Sequence, residues 1–151
     1  MRSISTTGLL TSRSLALIGA GLLCLTIESA VAADTAATLY RQCRDKPSTA
    51  AQRDCYPDVV RRSEIELVTA EKKARAHMME LEKISEGSRS MHPVLAFDKA
   101  ARTFRVFRDA ESNRVLASYG SGNGGDLAAS GTAIKMNIAR ARLLSGEAAA
   151  R

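Results

Sequence analysis

Four apolar side chains recur at intervals of seven residues in the middle of the chain, and this repeat constrains the fold most. The side chains are Val60, Leu67, Ala74 and Leu81, with Ala70 and Met78 between them. Seven residues are close to two helical turns, so the spacing aligns them along one stripe of a long helix. No later segment alternates apolar and polar residues as a β-strand does. The repeat therefore predicts an all-α fold.

A second helix is predicted to begin near Pro93, a residue that is favoured in the first turn of a helix. It carries all the phenylalanines of the protein, which are Phe97, Phe104 and Phe107. Their helical spacing predicts that they share one face, with Arg108 and Asp109 off that face. We therefore expect this helix to lie at the centre of the core.

A third long helix is predicted over residues 127–144, after a glycine-rich segment at 120–125. The segment lacks the Lys-Ser/Thr ending of a phosphate-binding loop and follows no strand, so we interpret it as a flexible connection. Asp126 is the predicted cap of the helix that follows. Three main helices joined in this way predict a small antiparallel bundle.

The segment that precedes the repeat predicts a short N-terminal helix over residues 34–45, with Asp34 as its cap. Pro47 interrupts this helix. The long helix of the repeat is then predicted to open at Tyr56, with Pro57 tolerated in its first turn.

The first 32 residues have the three parts of a secretory signal peptide. Arg2 and Arg13 supply the positive charge, and residues 15–27 form an apolar run. Small residues follow, and Ala30 and Ala32 match the A-x-A pattern that signal peptidase cleaves. A membrane anchor is the alternative, but a spanning helix needs about 20 apolar residues. We therefore expect cleavage after Ala32 or Ala33, no stable membrane anchor, and a periplasmic or secreted protein.

Cleavage after residue 32 leaves 119 residues with 20 basic and 15 acidic side chains, a net charge of +5. This length suits one domain, which we assign to residues 33–147 with a frayed tail at 148–151. The basic residues are interleaved with acidic ones and form no block, so no nucleic-acid partner is expected.

The cysteines that remain after cleavage are Cys43 and Cys55, because Cys24 lies in the leader. An even pair in an exported chain indicates a disulfide. A metal site is the rival interpretation, but no histidine or second cysteine pair lies at ligand spacing. The two histidines, His77 and His92, are 15 residues apart. We therefore predict a disulfide that ties the short N-terminal helix, and neither a metal nor a cofactor.

Residues 97–112 resemble the central motif of the lysozyme-inhibitor LprI-like family of bacterial envelope proteins. The motif's tryptophan, aromatic residue, Arg-Asp pair and closing arginine fall on Phe104, Phe107, Arg108, Asp109 and Arg140. The glycine-rich segment and the first cysteine pair also match. The resemblance extends over residues 39–144, and it implies a helical envelope protein whose partner is a lysozyme-like hydrolase.

The chain departs from the family pattern at the second cysteine pair. Ser112 and Thr132 occupy the two positions, so both cysteines of one bridge are missing together. The chain therefore resembles a divergent member in which the packing of two helices must replace that bridge.

Two classes of function are compatible with these features. The resemblance implies inhibition of a lysozyme or another peptidoglycan hydrolase, for which Arg108, Asp109 and the glycine-rich loop are candidate contacts. Arg108 and Asp109 could instead form an ion pair within the bundle that also involves Arg140. The alternative function is a non-catalytic envelope interaction or assembly factor. An enzyme is not expected, because no Ser/His/Asp set, paired-carboxylate motif or metal-ligand spacing is present.

Overall fold

The computed structural model describes residues 34–149, and side chains up to residue 146, so the predicted leader lies outside the described residues. Within this part the chain is helical and has no β-strand, which confirms the all-α prediction. None of its helices is both long enough and apolar enough to cross a membrane. The helices are α1 (Ala36–Arg44), α2 (Thr49–Ile84), α3 (Glu86–Ser90), α4 (Pro93–Ser118) and α5 (Gly125–Ala149).

The three long helices, α2, α4 and α5, run up, down and up. The ion pair between Arg53 and Asp126 joins the N-terminal parts of α2 and α5, so these two helices run in the same direction. The ion pair between Arg75 and Asp98 joins the second half of α2 to the first turns of α4, so α4 runs the opposite way. Successive long helices are therefore antiparallel, as predicted.

Helix α1 is short and is held against α2 by the predicted disulfide between Cys43 and Cys55, whose Cα atoms are 5.9 Å apart. At its other end, the backbone N–H of Ala36 donates a hydrogen bond of 2.8 Å to Glu66 of α2. The helix begins two residues later than predicted, because Thr35 rather than Asp34 is the N-cap. The Thr35 hydroxyl accepts a hydrogen bond from the backbone N–H of Thr38, as the side chains of capping residues do.

Helix α2 begins earlier than predicted, at Thr49, with Ser48 as its N-cap. Cys55 is therefore a helical residue, and Pro57 lies inside the helix rather than in its first turn. Proline lacks an N–H, so the hydrogen bond to the residue four positions earlier is lost. The disulfide and the contacts with α1 and α5 hold this part of α2 in its helical form.

The core consists of two apolar clusters between α2 and α5. We call the cluster beside the disulfide the upper cluster. It consists of Ala36, Cys43, Tyr56, Val59, Leu127, Ile134 and Ile138. The lower cluster consists of Ala70, Ala74, Ala141 and Leu144. Leu67 of the predicted repeat lies between the two clusters and is fully buried.

Helix α4 does not form the centre of the core, contrary to our expectation. It contains no buried residue, Phe97 and Phe104 are half-buried, and Phe107 is 60% exposed. The half-buried face of α4 contains Arg108 instead of Phe107. The centre of the core therefore belongs to α2 and α5, and α4 lies across them as a half-buried third helix.

The connection from α4 to α5 is short and depends on two glycines in the left-handed region. Gly120 has φ +55° and Gly124 has φ +95°, conformations that L side chains rarely adopt. Asp126 lies in the first turn of α5, where its negative charge faces the positive end of the helix dipole. The hydrogen bond from Arg53 lowers the pKa of the Asp126 carboxyl, which favours its ionised form.

Candidate functional site

Four polar side chains meet in the layer between the upper and lower clusters. We call them the polar cluster, and they are Ser63, Glu64, Arg108 and Asn137. Ser63 and Asn137 are almost inaccessible to solvent, at 0% and 1% exposure. Burial of such groups is costly unless each of them is hydrogen-bonded.

The hydrogen bonds of the polar cluster join all three long helices. The Asn137 amide of α5 donates to Ser63 Oγ and to Glu64 Oε2 of α2, both at 3.1 Å. Arg108 of α4 donates through Nη1 to the same Glu64 oxygen at 2.7 Å and to Asn137 Oδ1 at 2.9 Å. Every member thus has a partner in another helix, which favours one relative position of the helices over its alternatives.

The Arg-Asp pair of the motif forms an ion pair within α4. Arg108 Nε donates to Asp109 Oδ1 at 2.9 Å. The Arg108 side chain is only 14% exposed, whereas Asp109 is 64% exposed. Arg108 therefore points into the bundle and holds α4 in place, and Asp109 faces solvent beside it.

A second ion pair between α2 and α4 lies one turn away from the polar cluster, with a buried carboxylate and a half-buried arginine. Arg105 of α4 donates to both carboxylate oxygens of Glu71 of α2, at 3.1 and 2.6 Å. The hydrogen bond that Arg105 donates to Glu71 raises the pKa of Arg105 above its ordinary value. This two-point contact between a guanidinium and a carboxylate is among the stronger geometries for an ion pair.

Arg140, the closing arginine of the motif, contacts Phe104, which occupies the motif's tryptophan position. The Arg140 guanidinium lies over the Phe104 ring, 5.8 Å from its centre. Its Nε is buried and has no hydrogen-bond partner among the described residues, and the guanidinium lies within cation–π range of the ring. The predicted involvement of Arg140 with Arg108 and Asp109 is therefore replaced by a contact between Arg140 and Phe104.

Phe107 is separate from the other motif residues. It is 60% exposed, next to Val106 at 70% exposure. Two of its neighbours one turn away on the helix surface, Thr103 and Ala110, are exposed, and the other two, Phe104 and Glu111, are half-buried. We call the face formed by Val106, Phe107 and Asp109 the outer face of α4.

Sequence reasoning missed Ser63, Glu64 and Asn137. The signal was present, because Ser63 lies four residues before Leu67 and Asn137 lies three residues after Ile134. A polar residue in the buried phase of a helical stripe needs a partner in another helix.

The positions of the missing second bridge lie on facing helices. Ser112 is on the half-buried face of α4, and its Oγ is buried without a hydrogen-bond partner. Thr132 is on α5 and donates to the Ala128 carbonyl of its own helix at 2.9 Å. No contact between their hydroxyls joins the helices, so the polar cluster and the Phe104–Arg140 contact hold α4 to α5 instead.

Residues 34–149 contain no group of three or more histidine, cysteine, aspartate or glutamate side chains that could hold a metal ion. The polar cluster itself contains one carboxylate, which the amide and the guanidinium occupy. The hydrogen bonds of the polar cluster all contribute to contacts between the helices.

Replacing Arg108 with glutamine is expected to lower the free energy of unfolding by about 2 kcal/mol, because a buried charge-assisted contact between three helices is lost. Urea unfolding followed by circular dichroism measures this change. The matched control is Arg114→Gln, since Arg114 makes a similar ion pair with Glu111 of the same helix but is 65% exposed. Equal stability of the two variants would contradict a structural role for Arg108.

Comparison with known proteins gives one match. The family model described as lysozyme inhibitor LprI matches residues 43–144, which contain the disulfide and nearly all of the three long helices. No curated protein and no solved structure matches the chain. The match extends over about two thirds of the sequence and confirms the resemblance seen in residues 97–112, so the chain belongs to the LprI lysozyme-inhibitor family.

Proposed function

We propose that the chain is exported and that it binds and inhibits a lysozyme-type peptidoglycan hydrolase without catalysing a reaction. Membership of the LprI family supports an inhibitory role and a protein partner. The Cys43–Cys55 disulfide supports an oxidising compartment such as the periplasm. The predicted leader at residues 1–32 supplies the route of export.

One observation carries the proposal for the contact surface, and it is the exposed Phe107 ring on the outer face of α4. Exposed aromatic side chains on rigid elements are frequent anchors of protein interfaces, because they bury a large area with little loss of side-chain freedom. Arg108 supplies the rigidity, since its hydrogen bonds to Glu64 and Asn137 hold the helix from behind.

The outer face of α4 presents the apolar side chains of Val106 and Phe107 to a cleft, and the negative charge of Asp109 beside them is paired with Arg108. Lysozyme-type enzymes use two carboxylates on either side of the bond that they cleave. The Phe107 ring could enter such a cleft, while the exposed Arg114 lies seven residues further on the same stripe and could approach the carboxylates. The inhibitor would then exclude the polysaccharide by occupying its place.

Charge sets a condition on the partner. The exported part of the chain carries a net charge of +5, so a basic lysozyme would meet it with charge of the same sign. Like charge slows encounter, and salt screens this repulsion. Assays therefore need both low and physiological ionic strength, and an acidic hydrolase beside a basic one.

Phe107→Ala is expected to weaken inhibition at least about tenfold, because truncation of an anchor aromatic removes the apolar area that it buries in the partner. The measurement is the rate at which purified hydrolases clear a suspension of peptidoglycan, titrated with protein recovered after expression of the full chain. The concentration that halves the rate is compared between wild type and variant.

The matched control is Leu143→Ala, which truncates an apolar side chain of α5 that is also about half exposed, at 53%. It should inhibit as the wild type does, and both variants should unfold at the wild-type urea concentration. If the wild type leaves basic and acidic hydrolases fully active at both ionic strengths, the proposed function is wrong. If both variants inhibit as the wild type does, the outer face of α4 is not the contact surface.

A further inference from the structure

All three tyrosines of the protein line one open pocket at the end of the bundle that carries the disulfide. Tyr40 comes from α1, Tyr56 from α2 and Tyr119 from the C-cap of α4, with α5 as the remaining wall. We call it the tyrosine pocket. Its volume is about 620 Å³, within the range that small-molecule sites occupy. It contains no residue of the outer face of α4.

Two of the tyrosines form a fixed pair on one side of the pocket. The rings of Tyr40 and Tyr56 meet edge to face, with their centres 6.0 Å apart. Tyr56 is buried, at 7% exposure, whereas Tyr119 is 46% exposed at the rim. Tyr119 therefore offers an accessible ring face and hydroxyl to a ligand, and the Tyr40–Tyr56 pair forms the wall behind it.

Gly131 of α5 makes room for this arrangement. A Cβ atom at this position would come within 2.8 Å of the Tyr40 hydroxyl oxygen, closer than real Cβ contacts allow. Glycine inside a helix costs about 1 kcal/mol relative to alanine. The close approach of Tyr40 to the helix backbone explains why a glycine stands in the interior of α5.

The charged residues of the pocket are all positive. Arg44 and Lys135 line it, and no aspartate or glutamate does. The Arg44 guanidinium lies 5.9 Å from the centre of the Tyr40 ring, so one cation lies directly beside an aromatic face. Gln52 donates its amide N–H to the Arg44 carbonyl at 2.9 Å, which leaves the side-chain oxygen free to accept.

We propose that the tyrosine pocket binds a monosaccharide-sized ring that carries a carboxylate. The exposed Tyr119 ring supplies an apolar face for the C–H groups of the sugar, and the Tyr119 hydroxyl and the Gln52 oxygen supply partners for its hydroxyls. Arg44 and Lys135 supply charge-assisted hydrogen bonds for the carboxylate. This binding is independent of the proposed inhibition, because the tyrosine pocket and the outer face of α4 share no residue.

Intrinsic tyrosine fluorescence tests the proposal, since the protein has no tryptophan and its three tyrosines all lie at the site. The probes are N-acetylmuramic acid and N-acetylglucosamine, which share the ring and the acetamido group but differ in the lactyl carboxylate. We expect a saturable change with the acidic sugar, and an affinity for it at least about tenfold higher than for the neutral sugar. Saturation-transfer NMR of the sugars provides a second measurement.

Lys135→Gln should weaken binding of the acidic sugar about tenfold and leave the response to the neutral sugar unchanged. The matched control is Lys99→Gln, which removes an exposed lysine of α4 that lies outside the pocket. Both lysines are exposed, so both variants should keep the wild-type urea midpoint. Equal affinities for the two sugars, no saturable binding in either measurement, or an equal loss in the control would overturn the proposal.

Discussion

Replacement of both Cys43 and Cys55 by alanine is expected to lower the free energy of unfolding by about 3 kcal/mol, because the unfolded chain regains the freedom of a 13-residue loop. The loss should be large relative to the total, since small domains are stabilised by only about 5–15 kcal/mol. Cys43 is buried in the upper cluster, so its replacement also removes a sulfur atom from the core. Urea unfolding of the oxidised wild type and the variant measures the difference.

A reductant provides the control for the first prediction. Wild-type protein in reductant should lose about as much stability as the double variant, and the variant should not respond to reductant. If the oxidised wild type contains two free thiols, or if the two proteins unfold at the same urea concentration, the stabilising role of the bridge is wrong. Loss of the bridge should also weaken sugar binding in the tyrosine pocket, because the bridge holds α1, which carries Tyr40 and Arg44.

The combined change Ser112→Cys and Thr132→Cys is expected to form a second disulfide and to raise the free energy of unfolding by about 3 kcal/mol. The bridge would close a loop of 21 residues between α4 and α5. The change should cost little in the folded protein, since Ser112 Oγ is buried without a partner and Thr132 bonds only within its own helix. Unfolding in the presence and absence of reductant measures the gain, and a thiol assay measures bridge formation.

The two single-cysteine variants are the controls for the second bridge, and neither should gain stability in oxidising conditions. A double variant that keeps both thiols free after oxidation would mean that Ser112 and Thr132 do not stand where the family's cysteines do. The packing of α4 against α5 would then differ from that of other LprI members, and the motif assignment at Arg108 and Asp109 would need to be revised.

Much of the helical architecture could be predicted from local patterns. The repeat that includes Leu67 and Ala74 identified α2, and Ile134, Ile138 and Ala141 form a buried stripe with the same kind of spacing in α5. Both stripes consist of apolar side chains at regular helical spacing, and this property depends only on residues within one helix. The boundaries were less predictable: Pro57 suggested a helix start, whereas contacts with α1 and α5 extend α2 eight residues before it.

The orientation of α4 could not be predicted in the same way. Phe104, Phe107 and Arg108 are close together on the helix surface, so the sequence permits a face with either Phe107 or Arg108 turned inwards. Because Phe107 is apolar and Arg108 is charged, the sequence pattern favoured a face with Phe107 turned inwards. In the structure Arg108 points inwards because it donates hydrogen bonds to Glu64 and Asn137. Those partners lie 44 and 29 residues away in the chain.

The sequence by itself determined the helical class, the three long segments, the disulfide and the family, since each follows from spacing within a segment or from residue identity. Only the tertiary structure decided that Arg108 is a structural residue, that Phe107 is exposed, and that three tyrosines meet in one pocket. The physical reason is that these properties belong to contacts between helices. Asn137 and Ser63 are 74 residues apart in the chain, yet Asn137 Nδ2 lies 3.1 Å from Ser63 Oγ in the bundle. No local pattern encodes such a contact.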